Sequence, residues 1–392
     1  MTQFFGRIKN KERILDSMIC IDSDLKTEAA IHWWENPMNN PQMIIVELKW
    51  KDNEAQMTPR VMLETDPQYG NILIKQLSPK DLADFLSYRG ILTRHPDESM
   101  TAKWDGANED EGTAEWGRRK SGATVKLSKC NTWDEFTSWA TQVKKEYGAQ
   151  LFRGHGSNKF KLSTTFHRQN RARLERYTES TLQDFRHHAE AVTGIRFNMR
   201  DGDDYGILLG LAQHHGLPTP LLDWTMSPYI AAFFAFSDAL ENSRSDATHV
   251  RVYCLTRDFI RITTPSLVNI ASMVPYISML SITARHNPRL HAQQGRFMVT
   301  NVEEIEEAIC FWQFASTRRY LLAADVPIDC AREALEDLAY MGITPATLFP
   351  GLDGVCRTLK HQMMFANLLP TEGSNDPAPI PVSTKPANQP SD

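Results

Sequence analysis

Polar residues crowd one otherwise apolar stretch of the sequence, LAQHHGLPTPLLDWTMSPYIAAFFAF at positions 211–236. His214 and His215 end a predicted helix, and Gly216 is typical of the residue that follows a helix end. A neutral imidazole oriented by a carboxylate such as Asp223 can accept a proton near pH 7. The spacing therefore predicts a catalytic site in which either histidine acts as general base. The alternative is a tightly turned piece of core, in which Asp223 only holds a histidine in place.

Hydroxyl groups precede the apolar helix that completes this stretch. Thr225 is a candidate N-cap with Pro228 in the first helical turn, and Ser227 is the alternative cap. The hydroxyls therefore either serve a ligand or only cap the helix. Two adjacent histidines diverge from a helix end and no third ligand is spaced to match them, so no metal site is predicted.

A second polar segment, LFRGHGSNKFKLSTTFHR, follows a short predicted strand. Arg153 stands at the end of that strand beside Gly154 and His155, and guanidinium suits bidentate contact with phosphate. The segment begins a basic run in which only Glu175 is acidic. Its basic residues are Arg153, Lys159, Lys161, Arg168, Arg171, Arg173 and Arg176. This run predicts a nucleic-acid-binding patch, a solvated helix face or an ion-pair network with the N-terminal unit.

A third segment, RHNPRLHAQQGRFMV at 285–299, places Gln293 and Gln294 directly before a predicted strand. Adjacent amides at a strand entrance can hold a polar ligand, although a polar loop edge has the same composition. The sequence contains neither G-x-G-x-x-G nor a Walker A motif, so Rossmann and P-loop nucleotide binding are not supported.

The composition is that of an ordinary globular protein. The chain has 392 residues, 41% of them apolar and 23% charged, with a formal net charge of −5. Six cysteines without a CxxC pair predict reduced, buried thiols in a cytoplasmic protein. We expect no signal peptide and no membrane span, because no apolar run reaches about 18 residues.

The arrangement of predicted elements indicates an α+β fold in two units. Residues 1–125 are predicted as a smaller N-terminal α+β domain, with a strand at 43–50 and a helix at 78–90. The polar, glycine-rich segment 105–122 is predicted as a linker or a long exposed loop.

A mixed α+β domain is expected at 126–365, with strands at 149–154, 249–256, 295–300 and 319–327. Its first helix follows the candidate cap Thr132 and has one apolar face, formed by Trp133, Phe136, Trp139, Ala140 and Val143. Residues 366–392 are predicted as a disordered proline-rich tail.

Four blocks of the sequence resemble the FRG-domain family. They are FRG at 152–154, QHHGLPTPLLDWTMSPYIAAFFAF at 213–236, AQQGRF at 292–297 and GITPATLFPGLDGV at 342–355. The resemblance covers roughly residues 126–360 and is specific, because several multi-residue blocks occur in order. Pro220 stands where the family usually has arginine in TRLLDW, which removes one basic contact.

FRG domains are similar in block order to ADP-ribosyltransferases of the Arg-Ser-Glu type. This resemblance implies an ADP-ribosyltransferase-like fold with NAD as substrate, and glutamine in place of the catalytic glutamate. An amide cannot accept a proton at neutral pH, so the histidines become the candidate bases. The implied catalytic residues are Arg153, His214, His215, Asp223 and Gln294. The implied NAD-binding residues are Arg153, Gly154, His155, Gln213, Trp224, Thr225, Ser227 and Gln293.

The resemblance thus implies transfer of ADP-ribose from NAD to a macromolecule by a bacterial toxin or anti-phage effector. The basic run, interleaved with aromatic residues, favours RNA over protein as the acceptor. A neutralising antitoxin protein is an expected partner, and no membrane is. The alternatives are a non-enzymatic module that binds nucleotide or nucleic acid, and a hydrolytic effector. The second is disfavoured because the sequence lacks clustered acids for a two-metal site.

Overall fold

The computed structural model describes residues 2–11, 13–36, 41–66, 72–107, 110–119, 124–242, 247–263, 270–280 and 288–366. The predicted tail beyond residue 366 and the RHN triplet at 285–287 lie outside these ranges. The described residues form two separate β-sheets with helices around the second. None of the helices built from them combines the length and apolar character that crossing a bilayer requires.

The N-terminal unit is a closed antiparallel β-barrel of eight strands. Its strands are β1 (Gln3–Asn10), β2 (Arg13–Cys20), β3 (Glu28–Trp34), β4 (Gln42–Lys51), β5 (Glu54–Thr65), β7 (Arg89–Arg94), β8 (Met100–Asp105) and β9 (Glu111–Gly117). A short strand β6 (Ile72–Ile74) pairs with β5, and the helix α1 (Pro79–Ser87) precedes β7. The order β4-β3-β2-β1-β9-β8-β7-β5 closes on itself because β4 also pairs with β5.

The barrel corrects the prediction of an N-terminal α+β domain. The predicted strand at 43–50 is present as β4, and Ser78 caps α1 by accepting a hydrogen bond from the Asp81 amide at 3.2 Å. The helix ends at Ser87, however, and not at residue 90 as predicted. Six strands of the barrel, β1–β3 and β7–β9, were not predicted. The segment 105–122 is not a linker, since β9 alternates buried Ala114 and Trp116 with exposed neighbours and lies between β1 and β8.

The second unit is built on a seven-stranded sheet in the order β10-β16-β13-β11-β12-β15-β14. These strands are β10 (Lys126–Lys129), β11 (Leu151–His155), β12 (Leu221–Thr225), β13 (His249–Leu255), β14 (Ile277–Leu280), β15 (Gly295–Thr300) and β16 (Leu321–Pro327). The β10–β16 pair is parallel and the other pairs are antiparallel. The predicted strands before Gly154 and at 249–256, 295–300 and 319–327 are confirmed, whereas β10, β12 and β14 were not predicted.

Helices cover this sheet, and the mixed α+β character predicted for this unit is confirmed. The helices are α2 (Trp133–Tyr147), α3 (Thr165–Arg168), α4 (Leu174–Arg176), α5 (Leu182–Thr193), α6 (Gly202–His214), α7 (Pro228–Glu241), α8 (Arg257–Ile262), α9 (Pro288–Ala292), α10 (Ile305–Ser316), α11 (Ala331–Tyr340), α12 (Pro345–Leu348) and α13 (Leu352–Ala366). A π-helical turn at Tyr177–Thr181 joins α4 to α5, and a 3₁₀ turn at Ile328–Cys330 precedes α11. In α2, the apolar face predicted by its spacing is fully buried, and Thr132 caps the helix.

The barrel contacts the second unit through an apolar patch and a set of ion pairs. Met18, Trp34 and Met43 on the outer face of the barrel pack with Ala172 and Met273. Around this patch, arginines of the basic run meet carboxylates of the barrel. The pairs are Arg171–Asp24 at 2.9 Å, Arg173–Glu28 at 2.8 Å, Arg176–Asp22 at 3.2 Å and Arg176–Asp24 at 3.1 Å. For these three arginines, the ion-pair interpretation of the basic run is therefore the correct one.

Candidate functional site

The second sheet separates into two parts at the strand that carries Arg153. Strand β11 pairs with β13 along its whole length, from Leu151 to His155, but meets β12 at the single pair Phe152–Thr225. Strand β12 in turn pairs with β15 along its five residues. The strands β11 and β12 therefore diverge, and Arg153 lies next to the point where they part.

Helix α7 packs closely against β11 beside this point. A Cβ atom placed on Gly154 would lie 1.9 Å from the Ala231 carbonyl oxygen, so only glycine allows this approach. Gly154 thus has a packing role against helix α7, and its role in NAD binding stays a prediction.

The guanidinium of Arg153 is held by two neutral acceptors. Its Nε donates to His155 Nε2 at 3.1 Å, and its Nη1 donates to the Asp223 carbonyl oxygen at 2.6 Å. Burial lowers the pKa of Arg153, although the charge of Asp223 partly offsets this effect. The arginine therefore has a fixed orientation but no carboxylate ion-pair partner among the described residues.

His155 is a positioning residue for Arg153. Its Nε2 accepts from the arginine, so Nδ1 carries the proton and faces the Phe160 carbonyl oxygen at 3.4 Å. The ring also lies edge-on to Tyr253, with 5.3 Å between centroids. Burial lowers the pKa of His155 to about 3, and the charge of Arg153 adds to the shift. The imidazole is thus neutral at physiological pH, as its role of acceptor requires.

The carboxylate of Asp223 is bound by glutamine and not by histidine. Gln213 Nε2 donates to Asp223 Oδ1 at 2.6 Å, and Thr219 Oγ1 donates to Gln213 Oε1. His214 and His215 are exposed, and neither makes a described hydrogen bond to Asp223. The prediction that Asp223 orients a histidine base is therefore wrong.

This difference follows from the way helix α6 ends. Gly216 adopts φ 83° as expected, and the Leu217 amide reaches back to the Ala212 carbonyl oxygen at 2.9 Å. The helix thus continues to His214, which places Gln213 toward the sheet and leaves both histidines in solvent. The hydrogen bond from Thr219 to Gln213 was not predicted, although a threonine between two prolines indicates a fixed turn.

The hydroxyls before α7 are engaged in structural hydrogen bonds. Ser227 is the N-cap, accepting from the Ile230 amide at 3.3 Å. Thr225 ends β12 instead, and its Oγ1 donates to the Gln293 carbonyl oxygen at 2.8 Å. Trp224, predicted to bind NAD, is buried in the apolar core under the sheet. These contacts fix the strand end beside Arg153.

The two adjacent glutamines have different roles. Gln293 fixes its loop, because its Nε2 donates to the Leu348 carbonyl oxygen at 3.2 Å. Gln294 adopts φ 49°, its carbonyl oxygen accepts from the Met226 amide at 3.1 Å, and its side chain is exposed. Of the pair, Gln294 is the one whose amide is available to a ligand.

Two further arginines of this region were not among the predicted site residues. Burial lowers the pKa of Arg168 and of Arg289, and the charge of Asp223 acts against that shift in both. Arg168 Nη1 donates to the Ser163 carbonyl oxygen at 2.5 Å, and neither arginine has a carboxylate ion pair within the described ranges. Three guanidiniums, including Arg153, thus lie in electrostatic range of one carboxylate.

The fold and the site define an α+β protein in which two strands of the sheet diverge beside a half-buried arginine. Residues 148–244 match the FRG domain, so the chain contains an FRG domain, as its sequence blocks predicted. The match includes β11, β12 and α7 but ends before the two glutamines. No curated protein matches the chain, and no solved structure does. Over the described part of the chain, no group of three or more His, Cys, Asp or Glu side chains is arranged to hold a metal ion.

Proposed function

We propose that the cleft between β11 and β12 binds NAD through its diphosphate, and that the chain transfers ADP-ribose from NAD to a macromolecule. The observation that carries this proposal is the excess of positive charge around Asp223. Arg153, Arg168 and Arg289 all have that carboxylate as a neighbouring charge, and the pKa of each is lowered by partial loss of solvent. A diphosphate supplies the negative charge that such a cluster lacks, and guanidinium groups bind phosphate oxygens in bidentate fashion.

The hydrogen bonds of the site support this assignment of Arg153. A guanidinium that His155 and the Asp223 carbonyl hold in place loses little conformational freedom when a ligand binds. Because the imidazole is neutral, it fixes the arginine without neutralising its charge. The arginine therefore keeps its full attraction for an anion while its direction is already set.

In the proposed reaction, the bond between C1′ of the ribose and the nicotinamide nitrogen breaks, and its electron pair leaves with neutral nicotinamide. An oxygen or nitrogen nucleophile of the acceptor forms the new bond to C1′ and releases a proton. The transition state has oxocarbenium character, which a nearby carboxylate stabilises. We assign both tasks, electrostatic stabilisation and proton acceptance, to Asp223, since the amide of Gln294 can only donate or accept hydrogen bonds.

The acceptor stays a prediction. The preference for RNA rested on the basic run, and Arg171, Arg173 and Arg176 of that run are engaged by carboxylates of the barrel. RNA thus loses part of its support relative to protein. The toxin or anti-phage role and the neutralising antitoxin likewise stay predictions.

A second candidate function is a module that binds nucleotide without cleaving it. Glutamine at position 294 favours this alternative, because it stands where the resemblance implies a catalytic glutamate. The two functions differ in one observable. An enzyme releases free nicotinamide, whereas a binding module only raises its melting temperature when NAD is added.

The test incubates the full chain with NAD that is labelled in the nicotinamide ring or in the adenylate phosphate, in the presence of cell lysate. We expect release of free nicotinamide and transfer of the phosphate label to RNA or protein. Arg153→Ala and Asp223→Asn should each lower the release rate by about 100-fold or more, since oriented charges and general bases contribute at least that much.

Two control variants give this test its specificity. Arg171→Ala removes an arginine of the same basic run whose partner is Asp24, and it should keep the wild-type rate. The double variant His214→Gln, His215→Gln should keep it as well, because both side chains are exposed. Nicotinamide release that survives Arg153→Ala, or that is lost with the two histidines, contradicts the proposal.

A further inference from the structure

The barrel holds a cavity of about 400 Å³ at one end. Its walls are largely apolar and aromatic, and include Ile31, Trp33, Val46, Met57, Trp104 and Trp116. This space lies at the end of the barrel beside α1. A second space, of about 360 Å³, is lined by Phe4, Trp50 and Asp52 among others, at the other end of the barrel.

The cavity opens to solvent on one side and is a cleft in the barrel end, not an enclosed void. Eight-stranded barrels are either filled by their own side chains or hold one small ligand. The volume also falls in the range of small-molecule pockets, roughly 300–1,000 Å³. The cavity thus has the dimensions and the wall chemistry of a binding site.

Helix α1 forms one wall of the cavity. Phe85 and Tyr88 line the space, while Leu82 and Leu86 on the same helix are 44% and 42% exposed. The helix buries none of its own side chains completely. An element that buries so little apolar surface is held weakly and can open locally, which gives a ligand a route into the barrel.

The charged groups that line the cavity are mostly acidic. Asp81, Asp84 and Asp110 line it, together with a single basic residue, Arg89. Arg89 Nη1 donates at 2.6 Å to the carbonyl oxygens of Leu86 and Tyr88, so its charge is directed at backbone. Asp110 accepts from Asn10 at 2.9 Å and from Tyr88. The rim therefore carries an excess of negative charge.

We propose that the barrel cavity binds a small arylalkylamine, with its ring against the tryptophans and its ammonium group at the acidic rim. Aromatic walls favour a flat apolar body. A cation gains from three nearby carboxylates and also from the faces of Trp33 and Trp104. This site is separate from the Arg153 cleft, and the proposal does not depend on NAD binding.

The test uses three probes that differ only in the head group: 4-phenylbutylamine, 4-phenylbutanol and 4-phenylbutanoate. Each is titrated into the full chain and followed by calorimetry and by tryptophan fluorescence. We expect the amine to bind at least 10-fold more tightly than the carboxylate, with the alcohol between them. Absence of binding for all three, or equal binding of the amine and the carboxylate, overturns the proposal.

Variants locate the bound probe. Val46→Phe places a ring in the cavity and should weaken binding of the amine by at least 10-fold. Asp84→Asn on α1 leaves the barrel interior intact, and should weaken the amine several-fold while leaving the alcohol unchanged. Asp52→Asn, at the exposed β4–β5 turn on the opposite end, is the matched control and should change neither. Amine binding that is insensitive to Asp84→Asn, or equally sensitive to Asp52→Asn, contradicts the site.

Discussion

Two arginines of the same basic run, half-buried Arg153 in the cleft and buried Arg173 at the barrel junction, have opposite surroundings. Arg173 Nε donates to Glu175 at 2.7 Å and its Nη1 donates to Glu28 at 2.8 Å. Arg153 donates to an imidazole and to a backbone carbonyl. Arg173 is thus neutralised by two carboxylates, whereas Arg153, twenty residues earlier in the sequence, has no carboxylate ion pair among the described residues.

The pKa values of the two arginines change in opposite directions for this reason. Burial lowers the pKa of Arg173, but the charges of Glu175 and Glu28 more than offset the loss of solvent, and its pKa rises. For Arg153, burial prevails over the single charge of Asp223, and its pKa falls. An arginine that is oriented but not neutralised is suited to bind an anion, whereas one bridging two carboxylates is suited to hold two units together.

The largest expected effect is a loss of stability when Arg173, at the junction between the barrel and the second unit, is replaced. Arg173→Met leaves buried Glu175 and half-exposed Glu28 without their partner, and loss of one member of a buried pair costs about 3–5 kcal/mol. Arg153→Met removes two hydrogen bonds to neutral groups, and should cost about 1–2 kcal/mol. Chemical denaturation of both variants measures the difference. Equal destabilisation by the two substitutions would show that the arginines do not differ as described.

Acidification should weaken both regions progressively. Burial lowers the pKa of His155 in the cleft to about 3, and that of His32 at the junction to about 4. Both folded-state pKa values lie below the ordinary value of about 6.5, so the unfolded chain binds more protons between these limits. Stability should therefore decrease as the pH falls from about 6.5 toward 4, by up to about 1.4 kcal/mol per pH unit for each histidine.

The variant His155→Gln isolates the contribution of the cleft to this pH dependence. Glutamine can still accept a hydrogen bond from Arg153, but it takes up no proton on unfolding. The slope of the unfolding free energy against pH should therefore correspond to about one proton fewer than in the wild type. His215→Gln, at an exposed position, should leave the slope as it is. A slope that is unchanged in His155→Gln falsifies the assignment of a neutral, buried imidazole.

Much of the second unit was predictable because its signals are local. The spacing of Trp133, Phe136 and Trp139 identified the buried face of α2, and Gly216 marked the end of α6. The barrel was harder to predict. Its strands pair mostly with their neighbours in sequence, but its closure depends on the pair β1–β9, which joins the two ends of the unit. Strand β9 is short, polar and rich in glycine, and it becomes a strand only through pairing with β1 and β8.

The site was predictable in its residue types but not in its pairings. Arg153 and Asp223 do come together, yet through the backbone carbonyl of Asp223, while the carboxylate turns to Gln213. The direction of a side chain at a helix end depends on the residue at which the last turn ends. Neighbouring residues of a helix point in different directions, so Gln213 faces the sheet while His214 faces solvent. The grouping of Arg168 and Arg289 with Arg153 is likewise set by the fold and not by sequence distance.

The most direct test of the account is a calorimetric titration of ADP-ribose into the full chain and into two matched variants, Arg153→Gln and Arg173→Gln, at a temperature where all three are folded. ADP-ribose retains the diphosphate and cannot be consumed by loss of nicotinamide. We predict that Arg153→Gln binds at least 10-fold more weakly than the wild type, equivalent to about 1.4 kcal/mol or more, and that Arg173→Gln binds equally well. Unchanged affinity in Arg153→Gln, or a loss of affinity confined to Arg173→Gln, would contradict the claim that the uncompensated arginine is the anion-binding group.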